Sequence, residues 1–237
     1  MKIIRFYFLL TFLTCITNAL AQDEQLPVVP PATTVDPSPL KKKYYLFSPR
    51  VSVTVPHPIA DKSFKKCFVG IYEVSAGLNI FFYKGLFVGV TGKNGLLKIT
   101  ENKIADYNAR MQINNVGGKI GGDLYVGENN KAILSFAVSV GHNWTQYSGL
   151  KWRDASKPPL YTSYETNLIE PETNIFFLIE SNFAIGATVS YSIFDSHFDP
   201  YDLNLNEYSK FSSNNSVSTQ YLSFGFGFYY SIVPKKR

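Results

Sequence analysis

From Tyr44 to Ile232 the chain is written in period two, and that alternation constrains its fold more than any other feature. In Tyr221 to Ile232 one parity is Leu222, Phe224, Phe226, Phe228, Tyr230 and Ile232, and the other is Tyr221, Ser223, Gly225, Gly227, Tyr229 and Ser231. Side chains of a strand point alternately to opposite faces, so one face is oily and the other small or polar. The same division sets Phe183, Ile185, Ala187, Val189, Tyr191 and Ile193 against Ala184, Gly186, Thr188, Ser190 and Ser192. It recurs from Tyr72 to Phe82 and from Ile133 to Trp144. Shorter runs hold Val51, Val53 and Val55, and Leu86, Val88 and Val90. The segment Gly117 to Val126 alternates too, whereas Asn167 to Ile179 is ambiguous because Pro171 interrupts it. The pattern predicts eight strands of roughly ten residues, with ten strands possible if the long connections pair with each other.

A soluble barrel also alternates, so the face that meets solvent has to be decided. A soluble barrel fills its interior with the apolar parity and presents Lys and Glu outside. Here only 17% of residues are charged and 16% are aromatic, against roughly 25% charged in an ordinary soluble domain. The non-oily parity is mostly Gly, Ser, Thr and Asn, which makes a poor water-facing surface and a good crowded lumen. The fold class predicted is therefore all-β: an eight-stranded antiparallel up-and-down transmembrane β-barrel, lipid outside and polar inside. The connections agree. Short turns at Tyr83-Lys84-Gly85, Gly127 to Lys131 and Glu180-Ser181-Asn182 alternate with long connections expected at Pro56 to about Lys66, Lys93 to about Asn114, Tyr147 to about Tyr164 and Asp195 to about Ser218. Short periplasmic turns and long extracellular loops are the rule for outer-membrane barrels, and an even strand number brings both termini to the periplasm.

The N-terminus supports export. Lys2 and Arg5 precede an apolar run from Phe6 to Ile16 and an Ala19-Leu20-Ala21 cleavage site, so residues 1–21 read as a signal peptide. The run is too short for the roughly 20 residues of a membrane-spanning helix. Cys15 lies within it, preceded by Leu13-Thr14 rather than the small residues of a lipoprotein acceptor. Residues 22–43 carry Pro27, Pro30, Pro31, Pro37 and Pro39 and end in Lys41-Lys42-Lys43, the composition of a periplasmic linker. Residues 44–237 form the barrel domain. A net charge of +5 on an exported chain does not point to nucleic acid as a partner.

The residues resemble a family. Ile169-Glu170-Pro171 through Asn174 to Ser181 and the restart Asn182-Phe183-Ala184-Ile185-Gly186 are similar to the strand, tight turn and strand of the small outer-membrane β-barrel proteins. This is the OmpA/OmpX-like porin-fold superfamily of Gram-negative bacteria, with its outer membrane protein beta-barrel domain families. The aromatic strand 221–232 resembles the terminal signal through which such barrels engage the barrel-assembly machinery. The resemblance implies an integral outer-membrane protein in contact with lipid, and it carries no catalytic residues over.

Candidate chemistry is sparse. Glu73, Lys119 and Asp123 fall on the polar parity and are the expected lumen-facing charges, forming either a gate or a salt-bridged plug, with the plug preferred. Trp144, Tyr147, Tyr229 and Tyr230 are the expected aromatic girdle. His57, His142 and His197 have no metal-site or nucleophile–base spacing, and Cys67 stands alone in the mature chain. Neither metal, cofactor nor catalytic residue is expected. The long loops, rich in Tyr, Asn and Ser, are the candidate contact with an extracellular ligand or protein. The function expected is a structural or surface-interaction role. A narrow channel for small or hydrophobic solutes is the alternative, and a lipid-modifying hydrolase using His142 the remote one.

Overall fold

A computed structural model describes residues 46–60, 62–99, 109–127, 131–150, 160–180, 182–198 and 218–232. Eight strands close into one antiparallel barrel: β1 (Phe47–Pro58), β2 (Phe68–Tyr83), β3 (Leu86–Ile99), β4 (Arg110–Val126), β5 (Ala132–Leu150), β6 (Leu160–Leu178), β7 (Phe183–Phe194) and β8 (Gln220–Tyr230). Each strand pairs with its sequence neighbours, and β1 pairs with β8 to close the ring, which settles the count at eight rather than ten. Every strand edge is thereby paired with another, removing the open hydrogen-bonding edge that a flat sheet would leave. The expected leader and proline-rich tether lie outside the described residues.

The short turns gather at one end. At the tightest, Lys84 (φ 33°) and Gly85 (φ 90°) both adopt the left-handed region, the two-residue geometry whose twist matches the flanking strands. Gly85 fits there for a second reason: a Cβ would run into the Asp123 carbonyl of the neighbouring strand. Midway up the wall, Gly117 and Gly141 face each other across β4 and β5. A Cβ on either would lie 2.8–2.9 Å from the other's Cα, so this close approach admits glycine alone.

Two features depart from the sequence reading. First, the strands at the long-loop end run well past the expected boundaries. The stretch from Lys93 to Asn114, expected as a loop, is strand as far as Ile99 and again from Arg110. The stretch from Tyr147 to Tyr164 is likewise strand up to Leu150 and from Leu160. Second, the β1–β2 connection carries a short helix, α1 (Lys62–Cys67), with Lys65 and Lys66 in its last turn, where cations suit the helix dipole. The ambiguous segment around Pro171 resolves as β6, its even-numbered residues inward. Pro171 points outward, where its missing N–H leaves a gap in the β6–β7 ladder between Ile169↔Ile193 and Glu172↔Ser190.

Candidate functional site

The barrel wall obeys one rule over most of its height. Val51, Val53, Val55, Leu78, Ile80, Val88, Val90, Val116, Ile120, Ile175, Phe177, Val189, Phe224 and Phe228 all point outward and are exposed, and Phe226 is 68% exposed. The belt engages every strand and extends about nine residues along β5, from Ala132 to Val140. At the usual strand rise and tilt that is roughly 20–25 Å, near the height of the apolar band of a membrane barrel.

Behind the belt the interior is charged and paired. Arg50 sits nearest the short-turn end, where its guanidinium donates to both Asp123 oxygens, Oδ1 at 2.9 Å and Oδ2 at 2.7 Å, and to Ser135 Oγ at 2.7 Å. The same plane lies over the rings of Phe87, at 4.7 Å from the centroid, and Tyr229, at 4.9 Å. Nη2 makes both carboxylate bonds while Nη1 reaches Ser135, and a planar cation that spreads its donors over two partners while stacking on aromatic faces is what arginine provides and lysine does not. In the middle, Lys119 Nζ donates to Glu172 Oε2 at 2.7 Å, and Asn174 Nδ2 donates to Glu172 Oε1 at 2.7 Å. Higher still, Lys93 Nζ lies 3.1 Å from Glu73 Oε1 and also contacts Glu170. Thr54 donates to Glu73 at 2.9 Å and Ser192 to Glu170. Burial makes each charge costly alone, and the pairing with added hydroxyl and amide donors is what offsets that cost.

Glu73, Lys119 and Asp123 all lie inside the barrel, but they do not meet one another: each is paired with a residue absent from the expected set, namely Lys93, Glu172 and Arg50 respectively. A signal for Arg50 was present, since it shares parity with Ser48, Ser52 and Thr54 opposite the valine face of β1. Lys93 was hidden by the expected loop, and Glu170 and Glu172 by the ambiguity around Pro171.

The girdle reading needs correction. Trp144 and Tyr230 are on the outer face, 38% and 46% exposed, at the long-loop and short-turn ends respectively. Tyr147 and Tyr229 point inward and are buried. Each follows the parity of its strand: Tyr147 is in line with Asn143 and Thr145, and Tyr229 with Gly227 and Ser231. Tyr229 joins Ile133, Phe176 and Ala184, with Tyr125 and Leu178 against them, in a cluster at the short-turn end.

At the long-loop end the interior changes character. Phe64 from α1, Cys67, Phe68, Leu97, Ile99, Ala109, Met111, Ile113, Tyr147, Leu168, Phe194, Phe198 and Tyr221 form one buried cluster. Phe64 packs on Phe68 at 5.4 Å and on Phe198 at 5.7 Å between centroids. The outer face changes in step: above Val116, β4 presents Asn114, Gln112 and Arg110 outward, while its inward residues become Ile113 and Met111, with buried Ala109 just before the strand. The mouth is closed by an apolar cap. Between the cap and the lower cluster, a polar cavity lined by Arg50, Asn79, Thr91, Lys119, Glu172 and Thr188 leaves about 10 Å³ of water-accessible space, enough for about one water molecule.

Among the described residues no group of His, Cys, Asp and Glu is arranged to hold a metal ion. His142 Nε2 lies 3.1 Å from Glu165 on the outer wall, with its ring edge-on to Trp144 at 4.8 Å. Cys67 is buried in the cap.

No protein-family model matches the sequence, and no curated protein matches it. Several solved structures resemble the chain at low identity. Neisserial surface protein A (NspA) is 9% identical with a TM-score of 0.49, covering 78% of this chain and 97% of its own. Ail, the attachment invasion locus protein of Yersinia pestis, solved with the heparin analogue sucrose octasulfate, is 12% identical with a TM-score of 0.45, covering 79% and 99%. The outer membrane protein OprG from Pseudomonas aeruginosa is 11% identical with a TM-score of 0.46, covering 81% and 98%. The fold rests on the strand pairing described above and draws nothing from these likenesses.

Proposed function

We propose that the chain is a non-enzymatic integral outer-membrane barrel whose long-loop end faces outward and serves a structural or surface-interaction role, with both termini on the periplasmic side. The observation that carries the reading is the exposed apolar belt wrapped around a paired, charged interior. A soluble monomer rarely exposes an apolar patch of more than a few hundred Å², and this belt is continuous around the ring. A bilayer reverses the assignment: the belt becomes the buried surface, and the polar lumen is shielded from lipid. The closed interior supports an interaction role over a channel. Ion pairs fill the middle, the Tyr229 cluster crosses the lower end and the Phe64 cap covers the upper end, so the described residues leave a solute no open path.

Heat-modifiability tests the membrane reading. Protein refolded in detergent should migrate faster unboiled than boiled on a gel and give β-rich circular dichroism. A protein that stays soluble without detergent and shows no shift would remove the proposal. Planar-bilayer recordings separate the interaction role from the channel alternative. The sealed interior predicts no stable conductance, and stepwise ohmic currents would restore the channel.

A further inference from the structure

Just above the apolar belt the outer wall turns polar, at the level where a bilayer's headgroups meet water. Strand register places two rows side by side around β2 to β6. The lower row reads Val74, Asn94, Asn114, Trp144 and Glu165, and the upper reads Tyr72, Leu96, Gln112, Gln146 and Ser163. All of these side chains point outward, and each is exposed or half-buried. Four of the ten are amides: Asn94 donates to Asn114 Oδ1 at 2.7 Å and accepts from Tyr72 at 3.5 Å, which orders the ladder. Gln112 and Gln146 have no side-chain partner among the described residues. His142 stands edge-on to Trp144 at 4.8 Å and bonds Glu165 at 3.1 Å, so that ring is positioned from one side. Directly above, Lys98 and Arg110 face each other in register.

The geometry points to a saccharide-binding face, whose occupant is the phosphorylated sugar headgroup of a glycolipid in the surrounding leaflet. The inference rests on the membrane reading of the barrel. An indole ring presents an electron-rich face on which the C–H face of a pyranose packs. Primary amides offer a donor pair and an acceptor on one planar group, matching vicinal hydroxyls. Arg110, exposed one row higher, supplies positive charge to which phosphates on those sugars are complementary. Position selects the source. Along β3 to β6 the belt ends at Val90, Val116, Val140 and Ile169, one or two rows below these, so the face lies at the depth of headgroup sugars and is continuous with the lipid contact. Among the ten residues of the two rows only Tyr72 and Trp144 carry aromatic rings, and the amides of Asn94, Asn114, Gln112 and Gln146 fill the face between and beside them.

The test uses the mature full-length protein refolded in detergent, with Trp152→Phe so that the emission reports Trp144. It is titrated with lipopolysaccharide truncated to its phosphorylated inner-core sugars, with lipid A lacking them, and with the soluble core oligosaccharide. The expected result is a saturable change in Trp144 emission for the core-bearing glycolipid. Both lipid A and the soluble oligosaccharide should bind at least about tenfold more weakly, and the Gln112→Ala/Gln146→Ala double variant should lose about tenfold in affinity for the core-bearing glycolipid. Equal responses to both lipids would overturn the proposal in favour of a plain interfacial tryptophan. Equal binding of the soluble oligosaccharide would overturn the choice of source. An unchanged double variant, shown folded by its heat-modifiability, would overturn the assignment of the amides. Failure of the membrane reading is read separately, as solubility without detergent.

Discussion

On the two sides of the Asn114–Asn115 step, the same barrel wall is built to opposite rules. Below it, β4 points Ile120 and Val116 outward and Asp123 and Lys119 inward; above it, the outward residues are Gln112 and Arg110 and the inward ones Ile113 and Met111. β3 makes the same exchange, with Val88 and Val90 outside Thr91 and Lys93 below, and Lys98 outside Leu97 and Ile99 above. Strand direction and register do not change through the step. Only the side chains do, the pattern expected where the medium outside the wall, and not the wall itself, decides which parity is apolar. Where lipid surrounds the barrel, the polar groups are sent inside and must pair with each other. Where water surrounds it, the interior reverts to an apolar core like that of a soluble barrel.

The comparison can be broken most severely from the lower section. Arg50→Met leaves Asp123 as a buried, uncompensated carboxylate, so the urea midpoint of the detergent-refolded barrel should fall by an amount equivalent to about 3–5 kcal/mol. Adding Asp123→Leu should recover most of that loss, because an apolar pair of similar volume needs no partner. A double variant as unstable as the single one would show that the pair does more than neutralise itself.

Next comes the outer face, where position alone should set the cost. Ile120→Lys places an ammonium in the middle of the belt and should cost about 2–4 kcal/mol in a bilayer, whereas Gln112→Lys, four pairs along the same face of β4, should cost no more than about 0.5 kcal/mol. Equal costs in equilibrium unfolding from vesicles would erase the boundary at Asn114.

The cap offers a more local disruption. Phe64→Ala removes the aromatic side chain that α1 contributes to the closure, a loss of about 2–4 kcal/mol confined to the upper section. Faster protease cleavage near residues 60–67 with an unchanged heat shift would match that; loss of the heat shift would mean the cap holds the whole barrel. A smaller loss is expected at the facing glycines, where Gly141→Ala crowds Gly117 and should cost about 1–3 kcal/mol without disturbing the ion pairs. Unfolding from detergent measures it, and an unchanged midpoint would show that the wall yields there.

The polarity step also explains what the sequence could and could not tell. Alternation of one sense was readable wherever lipid-facing residues were oily, as at Phe224, Phe226 and Phe228, and it gave the barrel and its eight strands. At Lys93 and Asn114 the sense reversed within a continuous strand. A reader following the oily parity sees the pattern stop, so the stretches up to Ile99 and from Arg110 looked like loop. The ion pairs were half legible. Glu73, Lys119 and Asp123 announced themselves on the polar face, but Arg50 lies 73 positions from Asp123 and Glu172 lies 53 from Lys119, separations that no local pattern encodes. Tyr147 and Tyr229 read as girdle residues because they are aromatic and near strand ends. Their own strand parity had already placed them inside.

The claim that lipid meets the wall below Asn114 and water meets it above is tested most directly by two spin labels on one strand. On a Cys67→Ala background, Ile120→Cys and Gln112→Cys are labelled and the barrel is reconstituted in bilayers, where accessibility to oxygen and to a water-soluble nickel complex is compared. The account predicts an oxygen-rich, nickel-poor label at position 120 and a nickel-accessible one at position 112. Nickel reaching both labels equally would contradict it, since the belt would then face water.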